Sequence, residues 1–411
     1  MNVGAIRNRR VLVRGAVLAG LATVPALVLS APAYAATGTA KVGNTIQVTA
    51  ANNRANNITI TRAGAFFLIT DLGDTPAAGA GCAVAGARTV RCTAGGVARL
   101  VVNTGNLNDR VNNLTSTASL QNGGTGNDNL FGGTGNDTLV GGLGNDNLFG
   151  RAGRDIAAAQ NVVDGRDLYS GGPGVDSTHY GNRAARVLVS LNGAANDGAA
   201  GEQDNNLTDV EDIVGSRGPD NLAGNASANN ISGLAGNDVI SGLAGNDRLT
   251  GGLGTDTLVG GLGNDTAVAG NVRDGRDTFS GGAGVDTTDY SARVLPVNVS
   301  LNNVGNDGSA PEFDNNLTDV ENVFGGRVSD TLTGSTAPNR MLGLGGADVI
   351  LGGAGPDTLI GGAGGDRLFG QAGNDTLNSV DGTRGNDRDD GGLNTDRCVA
   401  DLLDVKISCE L

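Results

Sequence analysis

Aspartate returns every nine residues across residues 123–158, at Asp128, Asp137, Asp146 and Asp155, inside GGTGNDNLF, GGTGNDTLV, GGLGNDNLF and GRAGRDIAA. A carboxylate at fixed spacing, preceded by glycines and followed by an aliphatic, is chemistry for a cation. Calcium is a hard ion that takes roughly six to eight oxygens. A turn offering one carboxylate and several open carbonyls can supply them without histidine or cysteine.

The elements that position these groups follow from the same nine residues. Glycines allow a sharp turn with positive φ because no Cβ clashes. The residues after each Asp, such as Asn129, Leu130 and Phe131, read as a very short strand with its middle side chain inward. Turn, strand, turn and strand then make one coil of a solenoid from two nonapeptides.

The pattern matches G-G-x-G-x-D-x-U-x, and the chain resembles the haemolysin-type, or repeats-in-toxin (RTX), calcium-binding family. The expected fold is all-β: a right-handed parallel β-roll (β-solenoid) of nonapeptide repeats with small β caps at both ends. The resemblance implies several calcium ions held between stacked turns by the repeated carboxylates and by turn carbonyls. In the first tract these would be the carbonyls of Gly124, Gly126, Gly133, Gly135, Gly142 and Gly144.

A second period of 110 residues appears from Gly123 onward. Asp128, Asp137, Asp146, Asp155, Asp167 and Asp176 recur as Asp238, Asp247, Asp256, Asp265, Asp277 and Asp286, then as Asp348, Asp357, Asp366, Asp375, Asp387 and Asp396. Asp220 and Asp330 resume the beat before the second and third tracts and join the expected metal ligands. Asn229 and Asn339 stand at the next position; an amide keeps the turn but loses the charge, so weak or no calcium binding is expected there. The expected organisation is a cap at 36–120, cassettes with strand-forming spacers at 121–232 and 233–342, and a truncated third cassette at 343–411.

Composition narrows the class. Seventy-one glycines, no Trp, eight Phe and four Tyr in 411 residues argue against a compact core of large side chains. The net charge of −15 makes nucleic acid an unsuitable partner, since its binding rests on neutralising phosphates. A coil burying one or two aliphatics per nine residues cannot offset the backbone entropy of its glycine-rich turns, and stacked aspartates repel. An ion that binds only the folded state reverses that last term, so folding is expected to require calcium.

Residues 1–35 read as a secretory signal: Arg7, Arg9, Arg10 and Arg14, a mostly apolar run, and Ala33, Tyr34 and Ala35 as a cleavage site. Arg9 and Arg10 have a faint twin-arginine look; the general secretory route is preferred, because a calcium-dependent solenoid stays unfolded in a low-calcium cytoplasm. Family members exported in one step lack such a signal, so this chain departs from that pattern. No transmembrane anchor is expected after cleavage. Strands are expected at 45–49, 57–61, 65–70 and 99–103 within the cap, with disulfides Cys82 to Cys92 and Cys398 to Cys409, as an even cysteine count in a secreted chain favours.

Enzymatic signatures are missing. There is no H-E-x-x-H and no G-x-S-x-G. His179 is matched one cassette on by Asp289 and reads as a surface residue. Glu202 and Asp204, matched by Glu312 and Asp314, could be acid and base, extra calcium ligands or surface charge. Three classes follow: a secreted structural or adhesive calcium-binding β-roll, which is preferred; a module whose flank binds a glycan, protein or cell-surface component; and, with least support, a solenoid enzyme of the polysaccharide lyase or epimerase kind. The expected location is extracellular or on the cell envelope.

Overall fold

A computed structural model describes residues 36–410; the signal segment expected at 1–35 lies outside them. Among the described residues every regular element is a strand. Short strands such as Asn129–Gly133 and Asn147–Arg151 pair in parallel with Leu130 opposite Leu148, one coil of eighteen residues apart. The strands between them, Thr138–Leu143 and Ile156–Ala158, stack the same way on the opposite side. Two nonapeptides therefore make each coil of a parallel β-solenoid.

The middle residue of each three-residue segment points inward because the strand period is two. Leu130, Leu139, Ile231, Ile240, Leu249, Met341, Ile350, Leu359, Leu368 and Leu377 are fully buried and meet from the two faces in one aliphatic core. Ala157 and Ala267 break it where a leucine is the rule. Ala157 lines an interior space with Tyr169, and Ala267 one with Phe279, so the small side chain faces an aromatic across a gap.

The two faces differ. One runs without a break from Arg99–Asn103 to Arg397–Val399, inside an eighteen-stranded sheet. The other is cut into sheets of nine, seven and six strands. The spacers cause the cuts. Val187–Ser190 turns back on Gly198–Ala199 as an antiparallel hairpin and opens the next sheet by pairing with Asn221–Ala223, while Asn205–Asn206 closes the previous one against Leu168–Ser170. Residues 207–211 form no strand; they turn the chain to the continuous face, where Asp212–Val214 follows. The second spacer repeats this with Asn298–Ser300 and Asn315–Asn316.

Parallel stacking begins before the first nonapeptide. Thr45–Thr49 pairs with Arg99–Asn103, and Asn57–Ala63 with Arg110–Asn113. Antiparallel hairpins fold beside them: Gly38–Val42 on Thr45–Thr49, and Phe66–Asp71 between Asn57–Ala63 and Thr89–Thr93. These occupy the open edge of the solenoid. Cys82 and Cys92 face each other across the last hairpin and form a disulfide. At the far end Val405–Ile407 adds the final strand, and a Cys398–Cys409 disulfide ties it down.

Candidate metal centres

The repeated aspartates sit at the sixth place of each nonapeptide, where the turn enters the strand. Stacking coils in register sets each above its counterpart, and one oxygen of every carboxylate is used to hold that register. The N–H of Asp128 donates to Oδ1 of Asp146 (2.7 Å), and that of Asp146 to Oδ1 of Asp167 (2.9 Å). On the other edge Asp137 donates to Asp155 and Asp155 to Asp176, both at 2.7 Å. The second and third tracts repeat the ladders, as in Asp238 to Asp256 (2.8 Å) and Asp357 to Asp375 (2.8 Å).

The second oxygen is left over. Oδ2 of Asp128, Asp137, Asp146, Asp155 and Asp176 is buried without a hydrogen-bond partner; so is Oδ2 of Asp238, Asp247, Asp256, Asp265 and Asp286, and of Asp348, Asp357, Asp366, Asp375, Asp387 and Asp396. Each free oxygen except that of Asp387 lies beside the first glycine of its own turn; Gly382, in front of Asp387, has nothing within 4 Å of a Cβ position. A Cβ at Gly123 would strike both Asp128 Oδ2 and the carbonyl oxygen of Gly141 in the next coil; one at Gly132 would strike Asp137 Oδ2 and the Gly150 carbonyl. The missing side chain leaves a cradle bounded by a bare carboxylate oxygen and a backbone oxygen. Such a donor set fits a hard cation.

Without a cation these charges are costly. Burial pushes Asp128 up to about 6 and Asp137 and Asp146 to about 7, with neighbouring aspartates adding to the rise of the latter two. Asp238, Asp348 and Asp357 are likewise raised to about 7, burial again first among the causes. An isolated buried carboxylate must take up a proton or gain a positive partner.

Four of the expected ligands differ. Asp220 is satisfied by the chain: Oδ1 accepts from Val187 N (2.8 Å) and Ser216 Oγ (2.6 Å), and Oδ2 from Ser216 N. Asp330 likewise accepts from Val297 N (2.8 Å) and Gly326 N. Asp167 and Asp277 follow a three-residue insertion that puts Val162 and Val272 where the cradle glycine would be. They stay in the ladders but are only half-buried, and their carboxyls are raised to about 9 and about 8, first by burial. Asn229 and Asn339 close their own turns by accepting from Asn225 N (2.8 Å) and Ser335 N (2.6 Å), and donate to the preceding coil at the carbonyls of Glu211 (2.8 Å) and Glu321 (3.0 Å).

The glycine carbonyls named from the repeat divide as well. Those of Gly124, Gly126 and Gly135 face Gly142, Gly144 and Gly153 of the next coil, and that of Gly144 faces Gly165; Gly133 accepts from Ala152 N (3.3 Å). Gly142 is stacked on Gly124. The oxygens beside the free carboxylates belong instead to first-position glycines such as Gly141 and Gly150, which the sequence reading left out.

The ladders also use residues outside the repeat. Asp109 begins one, accepting from Asn56 N (2.6 Å). Asp204 ends it, accepting from Asp167 N (2.9 Å), Asp314 ends its second-tract counterpart, accepting from Asp277 N (3.0 Å), and Glu211, Glu321 and Glu410 end the ladders on the opposite edge. Agreement of Asp204 with Asp314 and Glu211 with Glu321 across 110 residues was the signal available for these.

Glu202 and Asp204 are 2% and 5% exposed, which removes the surface-charge reading. Glu202 pairs with Arg183, whose other nitrogen donates to Asp164 (2.6 Å); Tyr180 donates to Asp204 (3.0 Å). Arg293, Glu312, Asp274, Tyr290 and Asp314 repeat the arrangement. His179 is half-buried, and burial holds its pKa down at about 4. Among the described residues no three His, Cys, Asp or Glu side chains converge as a metal cluster, so each cradle would draw on backbone oxygens for most of its ligands.

The family model of the RTX calcium-binding nonapeptide repeat (4 copies) matches residues 122–157, 208–240, 232–267, 272–291, 324–359, 342–377 and 351–389. No curated protein matches the chain.

Proposed function

The chain is an RTX-type repeat protein built on calcium-binding nonapeptides, and from that premise we propose that it is a secreted, non-enzymatic β-roll that folds on meeting extracellular calcium and serves as a structural or adhesive element at or beyond the cell surface. One observation carries the reading: fifteen buried carboxylate oxygens, each beside a glycine gap and each without a donor. Bound calcium would supply the positive charge those oxygens lack. Asp128, Asp137, Asp146 and their equivalents would hold it with the first-position glycine carbonyls, while their Oδ1 atoms keep the coils in register. Asp220 and Asp330 would contribute register alone.

Export is supported by the arginine-rich, apolar start that ends at Ala35, and by two disulfides, which persist in oxidising compartments. Typical extracellular modules bind calcium with Kd of about 0.1 to 1 mM, which would leave this chain unfolded in the cytoplasm. Among the described residues no helix is long and apolar enough to cross a membrane. The absence of an enzymatic role is supported by ladder carboxylates that are committed to backbone N–H groups.

A second reading, a flank that binds a glycan or surface component, is favoured by one patch. Phe131 and Phe149 stack outward at 4.9 Å, and the guanidinium of Arg110 lies 4.3 Å from the Phe131 ring centre.

Native mass spectrometry after exchange into calcium tests the main reading. Several ions per chain are expected, bounded by the fifteen cradles; a chain that retains none would overturn it.

A further inference from the structure

In a regular coil the cradle is closed from the next coil by backbone. At Gly150 the missing Cβ leaves room bounded by Asp155 Oδ2 (2.5 Å from the Cβ position) and the Gly171 carbonyl (2.7 Å). The next cradle on that edge, at Gly171, holds Asp176 Oδ2 at 2.5 Å. The coil beyond it has Asn206 in the first position and Asp209 in the fourth, where Gly153 and Gly174 stand in earlier turns.

The Asp209 side chain reaches back over this gap. Its Oδ2 accepts from Ser170 Oγ (2.7 Å) and Gly172 N (3.0 Å), the two residues flanking Gly171. Its Oδ1 is buried without a donor, as is Asp176 Oδ2. Tyr169 is 3% exposed, its hydroxyl has no partner, and the charged groups facing it are Asp176, Asp155, Asp209 and Glu211. No lysine or arginine among the described residues pairs with Asp176 or Asp209.

The second cassette repeats the geometry. Asp319 Oδ2 accepts from Ser280 Oγ (2.7 Å) and Gly282 N (3.2 Å), and Asp319 Oδ1 and Asp286 Oδ2 are free. Phe279 replaces Tyr169.

We propose that these two terminal cradles are a second and tighter class of calcium site, held by Asp176 with Asp209 and by Asp286 with Asp319. An ordinary cradle offers one carboxylate; these offer two, and calcium affinity climbs with the charge of the ligand set. They fill first as calcium rises, at the joint where each tract gives way to its spacer hairpin. The proposal rests on the calcium reading of the repeats and adds two ligands that lie outside the nonapeptide columns.

Calorimetric titration of the protein with calcium is the test. Two ions per chain should bind with a Kd at least about tenfold below that of the rest. The D209N/D319N double variant should lose this class and keep the weaker one, since asparagine retains an acceptor for Ser170 and Gly172. A single class in the wild type, or a tight class that survives in the double variant, overturns the proposal; no calcium binding at all overturns the reading of the repeats instead.

Terbium gives a readout that does not depend on the double variant folding. The chain has no Trp, so emission sensitised by Tyr169 reports the first site. The first equivalents should give less emission in D209N and Y169F than in D319N. Equal emission in all three overturns the assignment.

Discussion

The backbone N–H of Asp128 donates to Oδ1 of Asp146 at 2.7 Å, while Oδ2 of Asp146 is buried with no donor. One carboxylate thus does two jobs: its first oxygen fixes coil register, and its second leaves a charge that only a proton or a cation relieves. Asp146→Asn separates them, because the amide oxygen can still accept from Asp128. In calcium the variant should be less stable than wild type by about 1 to 3 kcal/mol. In chelator it should be no less stable, since a buried charge is gone. Thermal unfolding in calcium and the residual β signal by circular dichroism in chelator check this, and a variant that also loses that residual signal would contradict it.

The pH dependence follows from the same oxygens. Asp137, Asp146, Asp238, Asp348 and Asp357 are raised by burial to about 7 in the folded, ion-free chain, against an ordinary 3.8. The native state then binds more protons than the unfolded state, so stability falls as pH rises. Their contribution is complete below about 4 and lost as pH climbs through about 7. In chelator, acidification from pH 8 to pH 5 should therefore increase β structure. In calcium the same acidification should weaken ion binding, because protons compete for the carboxylates. Circular dichroism and calcium titration at the two pH values would show the opposite trends.

Glycine at the fourth position is required for space as well as for conformation. Gly144 has φ of 138°, and a Cβ there would overlap the Gly126 carbonyl oxygen. Gly64 has φ of 56° with nothing within 4 Å. Gly64→Ala should cost about 1 kcal/mol for conformation alone. Gly144→Ala should cost more than about 3 kcal/mol, because backbone must shift. Melting temperatures of the pair in saturating calcium decide it.

Arg183 is 2% exposed between Asp164 and Glu202, a fixed cation at the coil where the three-residue insertion removes the cradle glycine. Arg183→Ala would strand two buried carboxylates and should cost about 3 to 5 kcal/mol. Excess calcium should not restore the loss if the guanidinium is structural; a full rescue would show that the pocket accepts metal.

The ladder aspartates, the inward leucines and the two disulfides were legible in the sequence because each follows from spacing: nine for the coil edge, two for the strand, an even cysteine count for the caps. Residues whose place depends on what the next coil contributes were harder to see. Asp220 has the same position as Asp238, yet Ser216 and Val187 satisfy it, and that is visible only once the spacer hairpin folds over its turn. Asp109 has no glycine motif in front of it and enters the ladder because strand Arg110–Asn113 already stacks on Asn57–Ala63. Glu202 reads as a surface acid until Arg183 is found against it.

The central claim is that calcium relieves the buried carboxylates and thereby completes the fold. Far-ultraviolet circular dichroism of the protein during a calcium titration out of chelator tests it most directly. The account predicts little regular structure in chelator and a steep, cooperative gain of β signal by millimolar calcium. Spectra that superimpose with and without calcium at neutral pH would contradict it.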